Sequence, residues 1–451
     1  MAGACCLRVC RGRQTENVEP TNLRDTFSGI RYSAPMPLKS NKPVVISILF
    51  LLALSAASRG QEMITADLDL FITLPDAYRI TPDDLEKRFE QGDWTKNPYF
   101  KWLTGDKSRA IFQRKDLDNL KVDLTLLKGT VPIEEAIIDF KNGTLIGVTI
   151  SIFNRGDGGS IAADDFDKRF KSMGRHIGEQ LQARPTRREA KPTQGQLTSG
   201  FLWISAHGKA VLEHNPEAPG NTEFLRMRLA RRDAGGAYEA AMQSRPGASV
   251  KLSDLPAKVK RDESGNIFIT DIPMVDQGAK GYCVVASAQR LFEYYGIHCD
   301  MHQLAQIAGS DPEKGTSSLE INEQLGAIDH LFKTRFTCLA VAQPNGLVEL
   351  IDGQYVGPPV PEADFHTMIK KSIDAGIPLL WSLEVGLFPE EPPLQEQAGG
   401  GHMRMITGYN TKSGRLIFSD SWGAGHEFKT MNAEDAYNAT RGLFMMKPIV
   451  R

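Results

Sequence analysis

The chain has no surplus of either charge: 53 Lys and Arg stand against 55 Asp and Glu in 451 residues, a formal net charge of −2. That balance excludes the basic field a polyanion partner requires, so nucleic acid is not an expected ligand. Long apolar runs are scarce. The one that stands out, Val44 to Ala57 (VVISILFLLALSAA), is shorter than the roughly 20 residues of a membrane-spanning helix and fits the ~7–15 of an export signal. Lys39 and Lys42 precede it and small residues follow, so cleavage near Ser58 or Gly60 is expected, with delivery to the periplasm or the exterior. An uncleaved membrane anchor is the alternative. Met36 opens a more ordinary signal than Met1, which makes residues 1–35 a candidate for a misassigned start.

Cysteine is also sparse, six in all. Cys5, Cys6 and Cys10 lie upstream of the apolar run, leaving Cys283, Cys299 and Cys338 after cleavage. In an oxidising compartment an odd number leaves a free thiol or an intermolecular bridge, and a nucleophilic cysteine is one reason to keep a thiol free. A Cys299–Cys338 disulfide and two separate buried thiols are both open.

The length suits two domains. Residues 1–60 read as an extension with the signal, 62–233 as an N-terminal α+β domain, 234–264 as a linker rich in Gly, Pro, Ser and charge, and 265–451 as a second domain. In the first domain VDLTLL, LIGVTISIF and GFLWISA have strand character, while DFDKRFKSMGRHIGEQLQ has helical spacing. It shows no repeat, no metal-ligand spacing and no phosphate loop. The basic stretch Arg184 to Lys191 reads as a solvated loop.

The second domain opens with DIPMVDQGAKGYCVVASAQRLFEYYG, a turn, a cysteine and a helix in one unit. Gly278 and Gly281 allow backbone with φ > 0. Val284, Ala288, Leu291, Phe292 and Tyr295 recur at helical spacing, with Gly296 as the stop. Cys283 therefore heads a buried helix, where the macrodipole favours the thiolate that attacks a carbonyl. Gln277, six residues earlier, is within reach to donate its amide to a developing oxyanion beside the Cys283 backbone N–H. Farther on, AGGGHMRMITGYN and GRLIFSDSWGAGHEF read as two strands joined by a turn at Thr411 to Gly414. His402 begins the first and Asp420 ends the second, so the outer ends of the hairpin bring a carboxylate to an imidazole.

These segments resemble the papain-like cysteine peptidases. Gln277 to Cys283 resembles the active-site segment of that family, His402 to Tyr409 its histidine strand, and Asp420-Ser421-Trp422-Gly423 its Asn-Ser-Trp-Gly motif. The resemblance implies a papain-like fold, a nucleophile helix with an antiparallel sheet. It makes Cys283 the nucleophile, His402 the general base and acid, Asp420 the orienter, Gln277 the oxyanion donor and Trp422 a shield for the His402–Asp420 bond. It also implies a peptide or protein substrate and no cofactor or metal. Lys280 stands where papain itself has a disulfide cysteine, Val284 where it has tryptophan, and Asp420 where it has asparagine. With DFHTMIKKSIDAGIPLLWSLEV between the motifs, these departures are more similar to bacterial papain-fold peptidases related to bacteriocin-processing domains.

Two other classes stay open: a transglutaminase-like or isopeptide acyl-transfer enzyme, and a catalytically silent papain-fold binding protein. The N-terminal half does not resemble the helical prosegment of papain zymogens, so inhibition, substrate recruitment and scaffolding are all open for it, intramolecular regulation included. Lys280 is expected as an exposed loop lysine and His426 as a surface strand residue. The polarity at His298 and His302 is assigned to helix-start chemistry, with Asp300 as N-cap, rather than to a metal. Oligomeric state is not legible.

Overall fold

The computed structural model describes residues 62–450 apart from 90–98, 118–119, 192–195, 243–246, 279, 311–314, 316–322, 328, 352–353, 357, 396 and 398. The apolar run at 44–57 and Cys5, Cys6 and Cys10 lie outside the described residues. No described helix is long and apolar enough to cross a membrane. Helices and largely antiparallel sheets alternate through the described chain, an α+β architecture.

The N-terminal half is built on an eight-stranded sheet. Its strands are β1 (Phe100–Trp102), β2 (Arg109–Gln113), β3 (Glu135–Lys141), β4 (Thr144–Asn154), β5 (Thr186–Arg188), β6 (Ser199–Ser205), β7 (Gly208–His214) and β8 (Phe224–Ala230), in the order β1-β2-β3-β4-β8-β7-β6-β5. A smaller sheet pairs Glu62–Asp67 in parallel with Leu120–Leu126. Helix α1 (Ala163–Leu181) covers the large sheet because Phe166, Met173, Ile177 and Leu181 recur at seven- and four-residue spacing on one face. The three strand-like stretches and the helical one fall on elements of those types. The basic stretch departs from a free loop: Thr186–Arg188 is an edge strand, and Arg188 bonds the carbonyl of Ala241.

Side-chain alternation on these strands decides what the second face of the large sheet meets. On β8, Leu225, Met227 and Leu229 enter the N-terminal core, while Arg226 and Arg228 point the other way. On β3, Ala136 and Ile138 are core, and Glu135, Ile137 and Asp139 share the opposite face. That charged face lies on the C-terminal half, and residues 60–451 form one compact unit. Between the halves, Ala237–Met242 is helical, with Ala241 and Met242 packed on Val211, and Val259–Arg261 pairs antiparallel with β9 (Asn266–Ile269).

The C-terminal half packs α2 (Cys283–Tyr294), α3 (Met301–Ala308) and α4 (Glu362–Asp374) with a sheet containing β10 (Thr334–Gln343), β11 (Leu379–Val385), β12 (Gly400–Asn410), β13 (Arg415–Ser419), β14 (Lys429–Asn432) and β15 (Thr440–Pro448). Its central order is β10-β15-β11-β12-β13-β14. Helix α2 is buried on nearly every side, and Gly296 at φ 70° closes it as expected from the sequence. Asp300 caps α3, accepting from the Gln303 amide at 3.1 Å.

Candidate active site

Cys283 is the first residue of α2, with Tyr282 in the N-cap position, and is partly exposed. One turn on, Ser287 Oγ donates to the carbonyl of Met403 at 3.2 Å. This bond ties the helix to β12 at the residue after His402, bringing thiol and imidazole together. His402 Nε2 lies 3.0 Å from Asp420 Oδ1, and the Cys283 thiol is close enough to the imidazole that each shifts the other's ionisation. With Nε2 facing the carboxylate, Nδ1 is the nitrogen left for Cys283.

The His402–Asp420 contact depends on a β-bulge. At the turn, Asn410 pairs with Arg415; carried outward without interruption, that register would set Asp420 opposite Met405 and His402 on the other face of the sheet. Between Ile406 and Gly408 the register shifts, so that Met405 pairs with Ser419 and, one step on, Arg404 stands across from Asp420. His402, two residues from Arg404, then shares the Asp420 face and reaches the carboxylate diagonally. The outer ends do meet, through an irregularity the sequence pattern does not reveal.

Gln277 is brought in by a short ladder between two loops. Asp276 bridges Trp422, the Gln277 amide donates to the Ser421 carbonyl at 2.9 Å, and the Gly423 amide to the Val275 carbonyl at 3.2 Å. Ser421 Oγ donates to Gln277 Oε1 at 2.7 Å, which turns Nε2 toward the Lys280 carbonyl 3.2 Å away. One N–H of the amide is thus engaged, and the other remains to be offered. The Trp422 indole stacks on the imidazole of His402, centroids 4.3 Å apart and planes 7° from parallel.

Behind this line sits a buried ion network. Arg404 Nε donates to Asp420 Oδ1 at 2.9 Å, and its guanidinium grips Glu390 at 2.6 and 3.1 Å. Lys429 Nζ lies 2.6 Å from Glu390 and 3.8 Å from Asp420 Oδ2. Arg404, Lys429 and Asp420 are fully enclosed. Burial pushes the Asp420 carboxyl up, but the His402 bond and the Arg404 and Lys429 charges outweigh it and hold it below the usual range. Burial likewise works against the imidazolium, yet bonds to Asp420 and Cys283 raise His402 above its ordinary value. Burial raises the Cys283 thiol, and the His402 bond and charge, with backbone groups at Met403 and Val284, bring it below that of a free thiol. The combined direction favours a thiolate–imidazolium pair.

The four residues singled out in the sequence, Cys283, His402, Asp420 and Gln277, therefore converge. Cys299 and Cys338 are buried, separate free thiols, and burial raises both, Cys338 to about 11. Two expectations are corrected. Lys280 is not an exposed loop lysine: its side chain is 8% exposed and its ammonium lies 2.6 Å from Asp157. His426 is not a strand residue; it sits in the loop after Trp422, against the indole edge, and its carbonyl accepts from the Asp420 amide at 3.0 Å.

Sequence reading missed Arg404, Glu390, Lys429 and Arg290. Arg290 lies two turns below Cys283 and donates to the carbonyls of Pro273 and Asp420 and to Ser419 Oγ. A charged residue inside an apolar strand (HMRMI) or helix was the available signal for Arg404 and Arg290.

Residues 269–445 match the family model described as the Peptidase_C39 like family. No curated protein matches the chain. Among solved structures, the chain is similar to xylellain, a cysteine protease from Xylella fastidiosa, at 14% identity over 46% of this chain and 93% of that one, with a TM-score of 0.26. The family match spans α2, β12 and the Asp420 motif, so the C-terminal part of this chain is similar to the Peptidase_C39 like family.

Proposed function

We propose that the protein is an exported cysteine peptidase that hydrolyses peptide bonds through Cys283, His402 and Asp420, with Gln277 as oxyanion donor. The observation that carries this reading is the buried His402–Asp420 pair, with Oδ1 3.0 Å from Nε2, beside a Cys283 thiol at the head of α2. His402 takes the thiol proton, and the thiolate adds to the amide carbonyl carbon. The carbonyl oxygen becomes an oxyanion, met by the Gln277 amide and the Cys283 backbone N–H. The C–N bond breaks as the imidazolium gives its proton to the leaving amine, leaving a thioester. Water, deprotonated by His402, attacks that thioester and releases the acid and the free thiol.

Labelling with a thiol-reactive peptidyl electrophile tests the chemistry. Cys283 is expected to react much faster than Cys299 or Cys338, and His402→Ala to remove that advantage; equal labelling of the three thiols overturns the reading. Export rests on the 44–57 segment. N-terminal sequencing of protein recovered outside the cytoplasm should find a start near Ser58 or Gly60, and an intact 44–57 segment on membrane-bound protein would replace export with anchoring.

A further inference from the structure

The segment carrying Gln277 is held from outside the peptidase domain, by two ion pairs from the N-terminal half. On one side, Lys101 of β1 pairs with Asp276, whose side chain is only 5% exposed and whose Oδ1 accepts from the Gly278 amide at 2.8 Å. On the other, Asp157, in the turn after β4, takes the Lys280 ammonium on both oxygens, at 2.8 and 2.6 Å. Lys280 is also the residue whose carbonyl engages the Gln277 amide. The ammonium lies on a carboxylate that, one ligand atom from each residue, comes within 4.8 Å of Glu135 and His302, so it answers the acidic character of that cluster. Asp157 is itself fixed: Asn154 donates to its Oδ2 at 2.8 Å and accepts from its amide at 2.9 Å.

The surrounding packing leaves little play. A Cβ at Gly156 would fall 2.7 Å from the Tyr282 hydroxyl, next to the nucleophile, and one at Gly423 3.3 Å from Leu103 of the N-terminal half. Leu103, Ile111 and Ile137 share a small core with Met274, two residues before Asp276. The N-terminal half thus touches both loops that meet in the Gln277–Ser421 ladder, on either side of the oxyanion donor.

We propose that Lys101 and Asp157 are positioning residues of the active site, clamping Asp276 and Lys280 on either side of Gln277 so that the N-terminal domain sets where Gln277 offers its amide. This rests on the peptidase reading above and gives the N-terminal domain a supporting part in the reaction. A partner that pulled on β1 or the turn after β4 would act on the oxyanion hole and not on the thiol.

Two probes separate those effects in the full chain. Alkylation of Cys283 by iodoacetamide reads the thiolate alone. Reversible binding of a peptidyl aldehyde, in which the thiolate adds to the carbonyl carbon and the new oxygen enters the hole, also reads Gln277. Lys101→Met and Asp157→Asn should each weaken aldehyde binding and lower kcat on a quenched peptide library about tenfold, as misplacement of a preorganised donor does. KM and the pH profile of alkylation should stay at wild-type values. In a Gln277→Ala background, Asp157→Asn should add nothing.

Aldehyde affinity within twofold of wild type in both single variants overturns the clamp. So does a parallel fall in alkylation, or a further loss in the Gln277→Ala background. A wild-type protein whose Cys283 forms no adduct with the aldehyde overturns the peptidase reading, and the clamp with it.

Discussion

Two buried charge clusters in this molecule have the same charge balance and opposite consequences for the histidine each contains. Behind the active site, Arg404 and Lys429 face Asp420 and Glu390, and His402 joins them. Between the halves, Arg226 and Arg228 face Glu213 and Asp300, and His298 joins them with Nε2 3.0 Å from Glu213. Each balances two cations against two carboxylates. Yet His402 is raised above its ordinary value, while His298 is driven down to about 3, by burial first and then by the Arg228 charge. Both histidines are desolvated; what differs is the second neighbour. His402 has a thiol on its far side that becomes an anion, whereas His298 has guanidinium groups. Burial alone drives a histidine toward its neutral form, and a second anionic partner restores its hold on a proton.

Breaking the proposed catalytic line should have the largest effect. Cys283→Ala and His402→Ala are each expected to cut turnover of a quenched peptide by at least about 10³-fold. Next comes Arg404→Met, which leaves Asp420 and Glu390 short of a buried counter-charge. It should lower the unfolding free energy by about 3–5 kcal/mol in urea titration and also slow Cys283 alkylation in the protein that stays folded. Arg226→Met should cost a similar amount of stability but leave alkylation of the folded fraction unchanged, so the pair of variants separates the two clusters.

The smallest effect sharpens the comparison through pH. His298 has its folded value depressed, so the unfolded chain binds the extra proton first. Its contribution is present above the ordinary histidine value and declines as pH falls from there toward about 3. His402, raised in the folded state, contributes below the ordinary value and loses that contribution as pH rises through its folded one. Replacing His298 with Gln should flatten the acid limb of the stability–pH curve at a cost of about 1 kcal/mol near neutrality, without altering peptide turnover.

The elements of this fold were legible wherever one residue type repeats at one period. The α1 stripe Phe166, Met173, Ile177 and Leu181 and the apolar spacing after Cys283 each place a helix, and Gly296 and Asp300 mark helix ends. The site was legible where it is local, as with Gln277 and Cys283 on one turn and His402 and Asp420 on one hairpin. What stayed hidden depends on register and on contacts between distant segments. The bulge before Gly408 leaves no mark in the residue pattern, although it decides which face His402 takes. Lys280 looks like any loop lysine until Asp157, 123 residues away, is set beside it.

The central claim is that His402 and its buried carboxylate make Cys283 a thiolate where the other two cysteines remain thiols. The direct measurement is the rate of iodoacetamide alkylation at each cysteine against pH, read by peptide mass, in wild type and His402→Ala. Cys283 should react well below the pH at which an ordinary thiol ionises, and Cys299 and Cys338 only above it. His402→Ala should return Cys283 to ordinary thiol behaviour. A Cys283 rate that rises only with the ordinary thiol midpoint, or is unmoved by His402→Ala, would contradict the account.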